Sequence, residues 1–298
     1  MGINKVLICG LGAVGLTYAY KLKDICQLKI LADLPRIEKY TKFPPELNNQ
    51  KIYLDYTTPD ERWDPDLIII TTKFDGLSSA IEFIKNYVTE NTIILSLING
   101  ISSERIIAET YGWNKVLHSY FIGHSAMRNE NKVTQDGVGK IVFGSPYEEN
   151  TNKVQTLKNF MDEHNLDYEI PEDIIYSMWL KFTLNVFSNQ SSAIMNLTFG
   201  DMKSEKFKIF AKKIIAEVTE IANLEGVKNS SMLEQDSLNA LNNMVDNGKT
   251  SMLQDIISKR KTEVEIFAGE IIRLGKKHKI QTPYNQVIYD MIKVLEGV

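Results

Sequence analysis

The chain has 298 residues, 43% hydrophobic and 24% charged, with a formal net charge of −4. That length accommodates one or two domains around a substantial core, and the balance is that of an ordinary soluble globular protein. The 34 basic residues are scattered and outnumbered by 38 acidic ones, giving no electrostatic footprint for nucleic acid; no run approaches about 18 consecutive apolar residues, so no membrane-spanning helix is expected.

The chain leads straight into an apolar run, residues 6–9, which breaks into Gly10, Leu11, Gly12, Ala13, Val14 and Gly15, with glycines spaced G-x-G-x-x-G. Residues 16–22 then propagate a helix. Strand, tight turn and helix form the context in which this spacing binds a dinucleotide. Gly10 permits the sharp turn, Gly12 lets backbone approach a pyrophosphate, and Gly15 lets the helix pack close to the strand. The helix N-terminus presents free N–H groups and a partial positive charge to the phosphates. No apolar leader with a cleavage site precedes the run, so a cytoplasmic location is expected.

Residues 28–32 read as a second strand, and Asp33 ends it. An acidic side chain about 20 residues beyond the turn accepts hydrogen bonds from the ribose hydroxyls and repels a 2′-phosphate, so Asp33 favours NADH over NADPH. Arg36, and Lys29 in a different register, are the basic residues that could reverse that preference.

Residues 41–46, with Pro44 and Pro45, read as irregular. A short third strand is expected at 51–54, and buried strands at 67–71 and 92–97. Between these lies an amphipathic helix, 77–88, with Ala80, Ile81, Ile84 and Val88 on one side. A helix at 101–111, strands at 116–120 and 140–143 and a helix at 154–164 follow. This alternation predicts a Rossmann-type doubly wound sheet, with ligands at the carboxyl ends of its strands. Lys73 and Asn99 fall at such ends, as do Gly10 and Gly12.

Beyond Pro171 helical periodicity takes over. The predicted organisation is a dinucleotide-binding domain, 1–170, and an all-helical substrate and catalytic domain, 171–298, with polar turns at 233–247. The helices carrying Ile214, Ile215 and Val218, and Val287, Ile288, Met291, Ile292 and Leu295, suit either a core or a homodimer interface. Two cysteines, Cys9 and Cys26, cannot make a disulfide framework, and His118, His124, His164 and His278 are too dispersed for a ligand set, so no metal is expected.

The helical part opens on a run in which Lys181, Asn185 and Asn189 recur every fourth residue, a polar stripe on a helix whose other faces carry Trp179, Leu180, Phe182, Leu184, Val186 and Phe187. Such a stripe is either a solvated face or a binding face. Further on come Ser251-Met252-Leu253-Gln254-Asp255 and Thr262-Glu263; Glu265 suits a surface ion pair.

With the glycine turn and Asn99-Gly100, these segments resemble the ketopantoate reductase (2-dehydropantoate 2-reductase) family, in order and over nearly the whole chain. The resemblance implies reduction of a 2-oxo acid by NAD(P)H at a cleft between two domains, as in pantothenate biosynthesis. It implies Lys181 as general acid, Asn99 beside the nicotinamide and Glu263 orienting the lysine. It further implies Asn185, Asn189 and Ser251 on the substrate and Lys73 near cofactor and substrate carboxylate. Asp33 stands where many members carry an arginine, Ile98 where a glutamine is common, and Gln190 where a proline is common. The last two bear on which 2-oxo acid is used, because both adjoin the expected substrate pocket. The alternatives are an NAD-dependent D-2-hydroxyacid dehydrogenase acting on branched or aromatic 2-oxo acids, and a dinucleotide-binding sensor without catalysis.

Overall fold

The computed structural model describes residues 2–123, 125–137 and 139–297. The chain divides into two compact units, Met1–Ile174 and Ile175–Val298.

The first unit begins with β1 (Lys5–Cys9), α1 (Ala13–Leu22), β2 (Gln27–Leu31), α2 (Leu34–Lys42), β3 (Glu46–Leu47), β4 (Gln50–Lys51), β5 (Tyr56–Thr57), β6 (Leu67–Ile70) and α3 (Leu77–Phe83). It continues through β7 (Ile93–Ser96), α4 (Ser103–Tyr111), β8 (Val116–Ile122), β9 (Ser125–Asn129), β10 (Lys132–Asp136), β11 (Lys140–Gly144), α5 (Thr151–Glu163) and β12 (Tyr168–Glu169). An eight-stranded sheet runs in the order β12-β11-β8-β7-β6-β1-β2-β5. Its strands are parallel from β5 to β8, and β11 joins β8 antiparallel. The order reverses at β1, flanked by β2 on one side and β6 on the other, which makes the carboxyl end of β1 the switch point of a Rossmann-type sheet.

The buried strands owe their form to composition. β6 (Leu67–Ile70) is buried at every position, as a strand covered on both faces must be. Its alternate side chains feed two cores: Leu67 and Ile69 belong to the one that holds Leu16, Leu22 and Leu95, while Ile68 and Ile70 belong to the one that holds Leu77, Ile84 and Ile107.

Several local expectations are corrected. The third main-sheet strand is β5, not 51–54; Gln50–Lys51 belongs instead to a separate four-stranded sheet, β4-β3-β10-β9. Strands of two residues carry too little alternation to be read from sequence. Within 77–88 the α-helix stops at Phe83 and tightens to a 3₁₀ turn, Ile84–Asn86, after which the Tyr87 hydroxyl lies 2.8 Å from Thr57 Oγ1. The irregular stretch expected at 41–46 narrows to 43–45, because α2 runs on to Lys42 and β3 begins at Glu46. Residues 233–242 of the expected polar turns form a helix.

The second unit is helical: α6 (Ile174–Met195, starting at the boundary), α7 (Phe199–Met202), α8 (Glu205–Leu224), α9 (Leu233–Asn242), α10 (Ser251–Ile257), α11 (Ala268–His278) and α12 (Pro283–Glu296). Ile214, Ile215 and Val218 of α8 are fully buried, which makes them core. Glu217, one helix face away, accepts from the backbone N–H groups of Tyr284 at 2.8 Å and Asn285 at 3.0 Å, and from Asn285 Nδ2 at 2.7 Å. A carboxylate at that helix start satisfies donors the helix itself cannot. On α12, Ile288 and Ile292 point inward, whereas Val287, Met291 and Leu295 are exposed.

Candidate functional site

In the first unit, Gly10 follows the last residue of β1 with φ +109°, and a Cβ there would lie 2.9 Å from both Thr71 C and Thr72 N. Thr71 Oγ1 donates to the Gly10 carbonyl at 2.6 Å, clamping the turn to the end of β6. A Cβ on Gly15 would fall 2.0 Å from the Gly10 carbonyl oxygen and 2.4 Å from Thr71 Oγ1. Gly10 and Gly15 are therefore required by the fold. Gly12 is different: a Cβ there would meet nothing nearer than Thr71 O at 3.6 Å, and its φ of −70° suits any residue. The space it leaves is space that the protein does not fill. Gly12 is also the N-cap of α1 with no side-chain cap and no acidic residue in the first turn. An open, uncapped helix start fits the pyrophosphate of a dinucleotide. Ala13 and Val14 pack partly against the core, and Leu11 is buried in it.

Lys73 and Asn99 follow β6 and β7 on the same sheet edge; Lys73 is exposed and Asn99 half-buried. Beneath the Asn99 loop lies a buried network that sequence patterning does not reveal. Ser119 Oγ receives Ser96 N–H at 3.1 Å and donates to Ser96 O at 3.0 Å, Ser96 Oγ donates to Ser103 Oγ at 2.9 Å, and Ser103 Oγ donates to Glu104 at 2.9 Å. Ser96 closes β7 and Ser103 opens α4, so the network pins both ends of the loop that carries Asn99.

Asp33 stands two residues beyond β2 as the N-cap of α2: Oδ1 accepts from Arg36 N–H at 3.0 Å, and Arg36 Nη1 lies 3.4 Å from Oδ2. The two residues that compete in the cofactor reading are thus an ion pair with each other, 38% and 62% exposed. The cap was itself a signal for α2, since Asp before Leu34 and Pro35 is a helix start.

In the second unit, α6 carries Lys181, Asn185 and Asn189 on successive turns. Trp179, Phe182, Val186 and Phe187 are buried around them, while Lys181 and Asn185 remain half-buried. Asn189 is buried, and its Nδ2 donates to Ser251 Oγ at 3.5 Å. Ser251 is exposed at the first position of α10, whose start is capped by Thr250 accepting from Leu253 N–H at 3.2 Å. Glu263 is half-buried and opens the 3₁₀ turn Val264–Ile266. Glu265 is occupied at the surface by Tyr289 at 2.9 Å and Lys293 at 3.3 Å, as an ion pair on the surface should be.

Two residues expected beside the substrate pocket go inward. Ile98 is 3% exposed among Cys9, Leu31 and Ile70. Gln190 is fully buried, donating to Val186 O at 2.6 Å and accepting from Ala268 N–H at 3.1 Å, so it ties α6 to the start of α11. Burial pushes the Cys9 thiol up to about 12 and Cys26 to about 11, leaving both inert as nucleophiles at neutral pH. His124 lies outside the described residues; among those described, no group of three or more His, Cys, Asp or Glu side chains is placed to hold a metal ion, and no helix is long and apolar enough to cross a membrane. A cavity of about 370 Å³ lined by Lys23, Cys26, Lys29 and Trp63 lies at the amino-terminal end of β2, the opposite sheet edge from the glycine turn.

Residues 6–147 match the model "Ketopantoate reductase PanE/ApbA" and residues 173–296 match "Ketopantoate reductase PanE/ApbA C terminal". The chain is 27% identical over 299 residues to the 2-dehydropantoate 2-reductase of Pyrococcus horikoshii, covering 99% of this chain and 98% of that protein. It is 25% identical over 306 residues to the 2-dehydropantoate 2-reductase of Streptococcus pyogenes, covering 98% of each. Among solved structures, a ternary complex of D-mandelate dehydrogenase with NADH and anilino(oxo)acetate superposes with a TM-score of 0.87 at 20% identity, covering 98% of each chain. The 2-dehydropantoate 2-reductase of Geobacter metallireducens superposes with a TM-score of 0.82 at 21% identity, covering 97% of this chain and 98% of that one. With family models matched over both the glycine-turn unit and the lysine-bearing helical unit, this chain belongs to the ketopantoate reductase PanE/ApbA family and is a ketopantoate reductase-like oxidoreductase.

Proposed function

We propose that the protein reduces 2-dehydropantoate to pantoate, the step that serves pantothenate biosynthesis, with NADH as the preferred reductant. The observation that carries this is the Lys181, Asn185, Asn189 stripe on a helix whose Trp179, Phe182, Val186 and Phe187 are buried, with Ser251 brought to Asn189 from 62 residues away. The full-length relatives named 2-dehydropantoate 2-reductase support the substrate.

The reduced nicotinamide, when bound, supplies a hydride to carbon 2 of the 2-oxo acid. Gly10, Leu11, Gly12, Ala13, Val14 and Gly15 hold the pyrophosphate, Asp33 the adenosine ribose, and Asn99 the nicotinamide side. The Lys181 ammonium donates its proton to the carbonyl oxygen as carbon 2 gains the hydride, and its charge stabilises the developing alkoxide, where preorganised charge contributes most. Glu263 orients Lys181; Asn185, Asn189 and Ser251 hold the substrate's hydroxyl and carboxylate, and Lys73 adds positive charge for the carboxylate. A second copy of the chain is the proposed partner, seated on the outward Val287, Met291 and Val294 of α12, which are 58%, 44% and 66% exposed; sedimentation at micromolar concentration tests this.

A second reading, an NAD-dependent D-2-hydroxyacid dehydrogenase, draws support from Asp33 and from the likeness to D-mandelate dehydrogenase with NADH. Initial rates with 2-dehydropantoate and with benzoylformate, each with NADH and NADPH, separate the two. Fast turnover of 2-dehydropantoate supports the first reading; a preference for the aromatic acid replaces it with the second.

A further inference from the structure

The small sheet brings a cation to the glycine turn that no sequence motif marks. In the β9–β10 hairpin Arg128 is paired with Val133. Directly opposed residues of an antiparallel pair share a face. Val133 is 2% exposed and belongs to the same core cluster as Leu16 of α1, so Arg128 leaves the hairpin on the side that packs against α1. The hairpin is fixed there: Thr17 Oγ1 of α1 donates to Gln135 Oε1 of β10, and Gln135 N–H donates to Asn48 Oδ1 at 2.9 Å.

The guanidinium ends at the turn itself. Arg128 Nη1 donates to the carbonyl oxygen of Leu11, between Gly10 and Gly12, and Nε donates to Glu130 O at 2.8 Å. Both acceptors are uncharged backbone carbonyls, which aim the group without neutralising it. A guanidinium carries five donors in a rigid fork that suits phosphate oxygens, and among the described residues two of them are engaged by backbone carbonyls, one of these that of the residue preceding Gly12. The turn has little attraction of its own for an anion beyond N–H groups and partial charge, because residues 13–16 contain no basic side chain.

We propose that Arg128 is a dinucleotide-binding residue, a guanidinium carried on the β9–β10 hairpin and locked to the Leu11 carbonyl, whose remaining donors and charge engage the cofactor pyrophosphate. The proposal rests on the reading of the glycine turn as a dinucleotide site.

The test uses the full chain with Arg128→Gln, which removes the charge and keeps a donor, and Arg128→Lys, which keeps the charge. NADH is titrated directly and ADP-ribose by competition, at low and at moderate salt, with Tm recorded for each variant. Arg128→Gln is expected to weaken both ligands about 10- to 50-fold, as loss of a charge-assisted contact does, and to flatten the salt dependence of Kd. Arg128→Lys should recover most of the affinity, and Tm should be unchanged in both. Wild-type affinity in Arg128→Gln overturns the proposal, as do equal losses in the two variants, which would make Arg128 only a strut for Leu11. Failure of the unaltered chain to bind NADH, NADPH or ADP-ribose is a separate outcome and overturns the dinucleotide reading itself.

Discussion

Asn189 Nδ2 and Ser251 Oγ meet at 3.5 Å, joining a buried residue in the middle of α6 to an exposed one at the start of α10. The contact is long for a hydrogen bond, so each group keeps most of its capacity for a ligand. If both hold one substrate carboxylate or hydroxyl, Asn189→Ala and Ser251→Ala should each raise the KM for the 2-oxo acid about 10- to 100-fold and leave cofactor affinity alone. Their double variant should lose less than the product of the single losses, because the residues share one partner. Independent, multiplicative effects would argue for separate roles.

Lys181→Ala should lower kcat by about three orders of magnitude while the Kd for NADH, measured by fluorescence, stays within twofold. A small kcat effect would return the polar stripe of α6 to a solvated helix face and revive the sensor reading.

The Asp33–Arg36 pair makes a graded prediction about cofactor choice. Asp33→Asn keeps an acceptor for the α2 cap but releases Arg36 and removes the charge that repels a 2′-phosphate. The ratio of kcat/KM for NADPH over NADH should therefore rise by about tenfold or more, with little change in stability. Asp33→Ala should show the same shift and lose about 1 kcal/mol, because the cap goes as well. An unchanged ratio in both would mean that Asp33 serves only as a cap.

Gly12→Ala and Gly15→Ala should fail in different ways. The Gly15 variant forces a methyl into the Gly10 carbonyl and Thr71 Oγ1, and should be strongly destabilised or insoluble. The Gly12 variant has room for its methyl and an ordinary φ, so it should melt normally yet bind NADH about 10- to 100-fold more weakly. Normal cofactor affinity in Gly12→Ala would count against the pyrophosphate site.

His118 is buried, stacked on Trp113 at 5.0 Å, and burial pushes its pKa down to about 4. The folded state holds it neutral while the unfolded chain takes up a proton below about 6.5, so unfolding gains a proton between those values. Stability should be intact above about pH 6.5 and fall as pH drops towards 4, by about 3 kcal/mol at most. His118→Phe should remove that part of the pH dependence, read as chemical-denaturation midpoints at pH 7 and pH 4.5.

The amino-acid sequence by itself determined the elements whose identity is local. Residues 6–9, 67–70 and 93–96 are apolar at every position or nearly so and could only be buried strands, and the glycine spacing dictated the turn after the first of them. The Lys181 stripe and the helical character of the second unit were equally legible, because 22 residues of α6 carry enough turns to display a period. Tertiary structure decided the rest. The two-residue strands β3, β4, β5 and β12 exist only because a neighbour offers them a partner, and the β9–β10 hairpin delivers Arg128 to Leu11 across 117 residues of sequence. Ile98 and Gln190 stand next to residues of the proposed site in the sequence, yet their side chains are buried in the interior. A side chain's direction depends on what packs against its element, and packing is a property of segments that meet only when the chain has folded.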